Sequence, residues 1–432
     1  MNTWRRRLGK GLNWQPGEGA AVVAGLVLFY LLFTGYFMLR PVRETMGVAG
    51  GVDNLQWLFT GTFFATLVSL PLFGVLASRV RRRHILPWTY GFFASNLLLF
   101  AVLFARNPDD IWAARAFYIW LSVFNLLAIS LAWSVLADIF DNEQGTRLFG
   151  LLAAGASLGG LSGPILGTLL VAPLGHAGLL LLATACLLGS IVATGYLQRW
   201  RARHPLPAIS EHPPSKPLGG NPLSGATAVL HSSYLLGIAG FVVLLASVST
   251  FLYFEQARIV SETFTDRTRQ TQVFGLIDTI VQALAILTQL FLTGRLARYL
   301  GVGVLLVGVP LAMAVGFVCL ALYPVFAVFV VVMVVRRAGE YALVRPGREM
   351  LFTVLTPEDK YKAKNFVDTV IYRGGDALSG WLKRGLDVMA DHPQLAMVIG
   401  ALLALGWRLT GSWLGRPHGQ SLGAPNTDSP HI

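Results

Sequence analysis

Charge is scarce in this chain. Asp, Glu, Lys and Arg make up 13% of its 432 residues, about half the ~25% of an ordinary soluble domain. Hydrophobic residues make up 54% and the mean hydropathy is +0.59. A water-soluble fold would have to leave large apolar patches bare, so the bilayer is the better solvent. Cysteine is also scarce. Cys186 and Cys319 sit in different apolar runs, which excludes a disulfide framework and makes both packing residues. No G-x-x-x-x-G-K-[ST] string occurs, so the chain does not drive itself as a P-loop ATPase. The eight histidines lack metal-ligand spacing, and His84, His204 and His212 fall in basic or Pro-rich loops. Neither a metal nor a cofactor is expected, and no enzyme is. Gly155-Ala156-Ser157-Leu158-Gly159 spells the G-x-S-x-G of a nucleophile elbow, but that elbow needs a strand-to-helix turn. These residues lie in a continuous apolar run. Gly155, Gly159 and Gly163 are instead one stripe at helical spacing, where another helix can come close.

What the chain does have is apolar runs of roughly 20 residues, enough to cross a hydrocarbon core of about 30 Å. Twelve can be marked, at 19–39, 55–77, 85–105, 111–136, 147–170, 174–197, 233–254, 272–293, 302–322, 324–344, 362–385 and 393–413. The expected fold is an all-α integral membrane protein of twelve transmembrane helices. The eleventh run carries Lys362, Lys364, Asp368, Arg373, Asp376, Lys383 and Arg384; repeat symmetry, not hydropathy, requires it. The first run follows a basic start but is too long for a signal-peptide core, and no small-x-small cleavage pattern directly follows it.

Basic residues fall unevenly between the runs. With both termini inside, the inner loops hold Arg5, Arg6, Arg7, Lys10, Arg79, Arg81, Arg82, Arg83, Arg147, Arg199, Arg201, Arg203 and Lys216. They also hold Arg295, Arg298, Arg345, Arg348, Lys360, Lys362, Lys364 and Arg416. The outer side has only Arg40, Arg43, Arg106, Arg258, Arg267, Arg269, Lys383 and Arg384. This bias places both termini in the cytoplasm, across an inner (plasma) membrane of bacterial type. It also accounts for the net charge of +12. Spread over short loops, that charge offers no basic domain to hold a duplex, so nucleic acid is not an expected partner.

The chain repeats itself at an offset of 217–220 residues. Gly74-Val75-Leu76-Ala77-Ser78-Arg79 returns as Gly294-Arg295-Leu296-Ala297-Arg298-Tyr299, Leu161-Ser162-Gly163 as Leu378-Ser379-Gly380, and Tyr36-Phe37 as Tyr253-Phe254. Two six-helix halves are expected, 1–198 and 233–413, with a cytoplasmic Pro-rich linker at 199–232 and a disordered tail at 414–432. A membrane chain built from two repeats is the mark of a transporter that rocks about a central site.

The loop from Gly74 to Leu86 resembles the G-x-L-A-D-R-x-G-R-R segment of the major facilitator superfamily, with Ser78 in place of the Asp and Arg81 in place of the second Gly. Tyr36-Phe37-Met38-Leu39-Arg40-Pro41-Val42-Arg43-Glu44 is similar to the Y-x-x-L-R-D-T-K-D segment of the ATP/ADP antiporter family. Ala132 to Ile139 resembles that family's W-x-x-x-N-E/Q-I, and Glu143 to Gly150 its E-A-x-R-F-Y. Phe254-Glu255-Gln256-Ala257-Arg258 falls where the family has V-E-x-x-W-K. Lys362 to Asp368, continued by Arg373-Gly374-Gly375-Asp376, resembles K-G-K-A-A-I-D…R-x-G-K. The likeness covers roughly residues 20–385 and implies exchange of nucleotides by alternating access. Two departures bear on substrate: Asp376 replaces a lysine and Pro41 an acidic residue. The first changes the local balance by two charges, unwelcome for a polyphosphate, so a divergent branch moving another anion is implied.

Candidate substrate-binding residues are Arg40, Arg43, Arg115, Arg337 and Arg373, with Glu44, Asp138, Glu255, Asp278, Glu340 and Asp376 for gating or coupling. Arg40 and Arg43 are three apart and could grip a phosphate together, or simply anchor the outer interface. Arg337 with Glu340, and Arg373 with Asp376, could each neutralise along one helix. Arg115 and Asp278 have no opposite charge three or four residues away, which marks them for a wet cavity. The expected function is an antiporter for a small anionic solute, working as a monomer. A proton-coupled exporter of hydrophobic or cationic compounds, and a non-transporting sensor or scaffold, are the alternatives. Cysteines placed at Arg81 and Lys216 should be labelled from the cytoplasmic side only, and one at Arg267 from the outside only. Labelling at Arg81 from the outside contradicts this topology.

Overall fold

The computed structural model describes residues 15, 17–204, 225–355, 357–389 and 393–421. The amino-terminal arginines, residues 205–224 of the linker with Lys216, and residues 422–432 of the tail lie outside the described residues. Among the described residues the chain is helical with no strand. Eight stretches are long and apolar enough to cross a membrane. Two of these, Glu143–Arg203 and Arg267–Leu322, are far too long for one crossing. At 1.5 Å per residue the first would extend about 90 Å, against a core of about 30 Å. Each is broken by one glycine, Gly175 at φ 65° and ψ 178° and Gly301 at φ 77° and ψ 173°. That backbone region is essentially glycine's alone. Each long stretch therefore crosses twice.

Helix α1 is Gly19–Ala49, α2 Leu55–Arg79, α3 Arg82–Arg106 and α4 Ile111–Ile139. Helices α5 and α6 are the two parts of Asn142–Arg203 on either side of Gly175. Helix α7 is Ser233–Thr263. Helix α8 runs from Arg267 through a π-helical turn at Gln289–Thr293 to Gly301, and α9 continues from there to Leu322. Helix α10 is Phe326–Gly339, a π-helical turn Glu340–Val344, and Arg345–Leu351. Helix α11 is Pro357–Phe366, a π-helical turn Val367–Ile371, and Tyr372–Met389. Helix α12 is Pro393–Ser421. The two helices that hydropathy alone does not single out, α10 and α11, are the charged ones. Twelve crossings result among the described residues, as the apolar runs and the repeat required.

Two compact units form. The first comprises Met1–Val52, Phe64–Gly220 and Ser261–Thr279; the second comprises Asp53–Phe63, Asn221–Val260 and Ile280–Ile432. Helices α2 and α8 are thus each divided between units, whereas the sequence repeat assigns each wholly to one half.

In the first unit α5 lies backbone-to-backbone on α1. A Cβ at Gly155 would stand 2.4 Å from the Leu26 carbonyl oxygen, one at Gly159 2.5 Å from that of Tyr30, and one at Gly163 2.7 Å from that of Thr34. The stripe is a packing seam, with Thr34 and Ser162 hydroxyls 3.2 Å apart beside it. Ser157 sits mid-helix and donates to the Ala153 carbonyl. Helices α3 and α4 interlock through aromatics: Phe93 meets Phe124 edge-on at 5.1 Å, and Phe100 meets Phe117 at 5.3 Å. At the start of α1, Glu18 accepts two bonds from Arg147, at 2.9 and 3.0 Å, and one from Gln144 at 2.9 Å. Burial works to raise the Glu18 pKa, but these bonds outweigh it and hold the carboxyl below its ordinary value. The clamp therefore stabilises the fold above the usual carboxylate range and is lost as pH falls through the lowered value.

In the second unit α9 and α12 repeat the close approach. A Cβ at Gly411 would stand 2.9 Å from the Leu306 carbonyl oxygen, and one at Gly415 2.7 Å from the Gly303 Cα. Fully buried Trp407 packs on Phe241 at 5.7 Å. Side chains of the π-helical turn of α8 satisfy carbonyls of the turn of α10. Gln289 donates to the Tyr341 carbonyl at 3.0 Å, and the Thr293 hydroxyl to that of Ala342 at 2.7 Å.

Replacing Gly159 by Ala should destabilise the protein by about 1–3 kcal/mol through overpacking. Gly91→Ala, where a Cβ meets nothing within 4 Å, should be neutral or slightly stabilising. Thermal unfolding of the purified variants compares them; equal melting temperatures contradict the seam.

Candidate functional site

The first unit gathers its charges where α1 ends. Helical spacing puts Arg40 and Arg43 on one face, and Pro41 between them removes a backbone donor within the helix. Arg40 Nε lies 3.7 Å from a carboxylate oxygen of Asp278, a residue 1% exposed. The Arg43 guanidinium sits over the Tyr118 ring at 4.2 Å and 3.6 Å from buried Glu44. One turn on, the hydroxyls of Thr45 and Thr271 are 2.7 Å apart, and His176 Nε2 is 2.9 Å from Thr271. Arg267 bonds the Pro108 carbonyl and pairs with Asp109 at 3.0 Å. These ties hold residues 267–279 of α8 in the first unit. A carboxylate as buried as Asp278 needs a cation, since an uncompensated charge in hydrocarbon costs about 3 kcal/mol or more.

The second unit has its own polar centre on α7, α10 and α11. Arg336 and Arg337 are 8% and 5% exposed in an otherwise apolar helix. Arg336 donates to the Ser249 hydroxyl at 2.6 Å and to Glu340 at 3.0 Å. Arg373 is 3.6 Å from Asp376, which also accepts from Thr250 at 3.3 Å. The Ser247 and Ser379 hydroxyls are 2.7 Å apart. Tyr372 lies within electrostatic reach of Asp376, Glu340, Arg373 and Arg336 together. Glu340 opens the π-helical turn of α10, and such turns recur at functional positions. Further along α7, buried Glu255 pairs with Arg258 and lies 4.0 Å from Lys383, itself 3% exposed and paired with Asp387.

The residues singled out from sequence thus fall into groups. Arg40, Arg43, Glu44 and Asp278 come together in the first unit; Glu340, Arg373 and Asp376 come together in the second, with Arg337 buried on α10 and Glu255 nearby on α7. Two stand apart. Arg115 donates to the Gly50 carbonyl at 2.8 Å and covers Trp112, so it caps the end of α1. Asp138 bonds Arg82 at 2.6 Å on the half-exposed end of α4. Arg336, four residues before Glu340, pairs with it. Sequence reasoning missed Arg336, Lys383, Ser249 and the Thr45–Thr271–His176 chain. The i,i+4 spacing of Arg336 and Glu340 was a usable signal; no local pattern joins Thr45 to Thr271. Among the described residues no group of three His, Cys, Asp or Glu is placed to hold a metal.

Buried ion pairs on twelve membrane-crossing helices define a transporter by class. The comparisons agree: the profile of the Major Facilitator Superfamily matches residues 22–335, and the chain belongs to that superfamily. Solved structures share the fold. The nucleoside transporter NupG superposes with a TM-score of 0.62 at 14% identity, over 91% of this chain and 98% of that one. A bacterial homologue of the iron transporter ferroportin gives 0.63 at 15% identity, over 92% and 98%. A bacterial homologue of the human lysosomal transporter Spinster gives 0.60 at 13%, over 95% and 100%. A comparison with curated proteins finds no match.

Removing one member of a buried pair costs about 3–5 kcal/mol, while replacing both by apolar residues is often neutral. Arg40→Ala should therefore lower the melting temperature strongly, and Arg40→Met with Asp278→Leu should recover most of the loss. Thermal unfolding of the purified proteins tests this; additive losses in the double variant contradict the pairing.

Proposed function

We propose that this chain is an antiporter that exchanges small anionic solutes, organic phosphates among them, by alternating access. The observation that carries this reading is the buried arginine of the second unit's polar centre. Arg336 and Arg337 are buried on α10, with Arg336 on Glu340, and Arg373 lies beside Asp376 on α11. Guanidiniums kept inside a membrane helix bundle are costly, and their paired donors match an anion such as a phosphate. Ser249, Thr250 and Tyr372 add polar groups around that charge. Arg40 and Arg43 provide a second pair of donors on α1, and Arg115, at the end of that helix, a further cation. Glu44, Asp138, Glu255 and Asp278 are assigned to gating or coupling, because each pairs with a cation that a substrate or a helix movement can take away. The resemblance to the ATP/ADP antiporter family at Arg40 to Glu44 and Lys362 to Asp376 supports the same substrate class. Fold neighbours include a nucleoside transporter and a homologue of an iron transporter, so the charge of the site, not the fold, sets the expected cargo. In this reading the protein works as a monomer in an inner membrane with both termini cytoplasmic.

A second reading rests on Glu44. It is buried, and its Oε2 accepts no hydrogen bond. With Glu255 and Asp278 it provides the buried carboxylates that a proton-coupled exporter of hydrophobic or cationic compounds requires.

Uptake of labelled organic phosphates into proteoliposomes preloaded with unlabelled partner separates the two. The wild type should exchange, and Arg43→Ala should lose roughly ten- to a hundred-fold or more, the worth of one charged hydrogen bond. Arg43→Lys should keep part of the activity, since charge survives and the fork does not. Undiminished exchange by Arg43→Ala removes that residue from the site. Absence of any phosphate exchange, with efflux driven by a pH gradient, establishes the second reading.

A further inference from the structure

The groove where α8 passes toward Gly301 has no role in the transport reading. It encloses about 330 Å³ and is walled by Leu290, Phe291, Gly294, Arg295, Arg298 and Tyr299. Leu290 is 70% exposed and Tyr299 77%, so the groove opens to the surroundings of the unit and not to its core. Arg295 and Arg298 are three residues apart and share a helix face. Neither makes an ion pair or side-chain hydrogen bond among the described residues. The chain offers no local counter-charge, because no Asp or Glu occurs between Asp278 and Glu340. The apolar wall is fixed from behind. It belongs to the π-helical turn Gln289–Thr293, whose Gln289 and Thr293 side chains are committed to the Tyr341 and Ala342 carbonyls. That turn directs Leu290 and Phe291 outward beside the two guanidiniums.

We propose that this groove binds an anionic phospholipid. The headgroup phosphate sits between Arg295 and Arg298, and the acyl chains run over Leu290 and Phe291. The assignment follows from complementarity of two kinds at one place. Paired guanidiniums match a phosphodiester, basic pockets at a membrane surface select anionic headgroups, and the adjoining apolar wall matches hydrocarbon. A soluble phosphate would use the first feature and leave the second in water. Tyr299 stands at the junction, where a ring with one polar end is favoured.

The test is lipid binding to the purified full-length chain in neutral detergent. Phosphatidylglycerol or phosphatidylcholine is added at equal mole ratio and read by native mass spectrometry and thermal shift. Phosphatidylglycerol should bind and raise the melting temperature, and phosphatidylcholine should do so far less. In Arg295→Gln with Arg298→Gln the preference should fall by roughly thirty-fold, with the melting temperature in phosphatidylcholine unchanged. Because these arginines also orient the chain, Arg295→Lys with Arg298→Lys is the companion variant. It keeps both charges and should retain the anionic preference within a few-fold. Equal binding of the two lipids by the wild type overturns the proposal. So does an undiminished preference in the glutamine variant, or complete loss in the lysine variant.

Discussion

A charged side chain within hydrocarbon must find its counter-charge inside the protein, and this structure is organised around that requirement. Asp278 is almost fully buried and reaches Arg40 on another helix. Glu255 lies between Arg258 and Lys383, Glu340 takes Arg336, and Asp376 takes Arg373 and Thr250. Two of the ion pairs, Arg40 with Asp278 and Lys383 with Glu255, join different helices. Such a pair does two things at once. It stabilises one arrangement of helices, and it is a place where that arrangement can be released if a solute or proton takes over one partner. Exposed pairs such as Asp53 with Arg384 contribute little by comparison, since water screens them.

The mechanical frame around the charges comes from glycine and from π-helical turns. Gly155, Gly159 and Gly163 bring α5 onto the backbone of α1, the helix that carries Arg40 and Arg43. In the second unit the turns at Glu340–Val344 and Val367–Ile371 interrupt α10 and α11 next to their charged residues. A π-helical turn leaves carbonyls without their usual helical partners, and side chains of α8 satisfy two of them.

Much of the fold was legible in the sequence because hydrocarbon imposes length and polarity at once. Twelve apolar runs and a repeated half gave the crossings, including α11, whose charges hide it from hydropathy. The glycine stripe was legible as packing because its spacing is local. The division of α2 and α8 between two compact units was not, since it rests on contacts such as Thr45 with Thr271 and Gly380 with Gln56. No periodicity encodes those. The candidate sites divide the same way. Arg40 with Arg43 and Arg373 with Asp376 were visible at helical spacing. Lys383 looked like an outer-loop charge and is 3% exposed. Asp278 looked solitary, and its partner lies more than two hundred residues away in the chain.

The central claim is that the buried arginines of the second unit's polar centre hold an anion. Equilibrium binding of a labelled organic phosphate to the purified protein tests it most directly, comparing the wild type with Arg337→Gln. The account expects saturable binding by the wild type and affinity at least about tenfold weaker in the variant. Equal affinity in the two proteins, or a wild type that binds no anion, contradicts it.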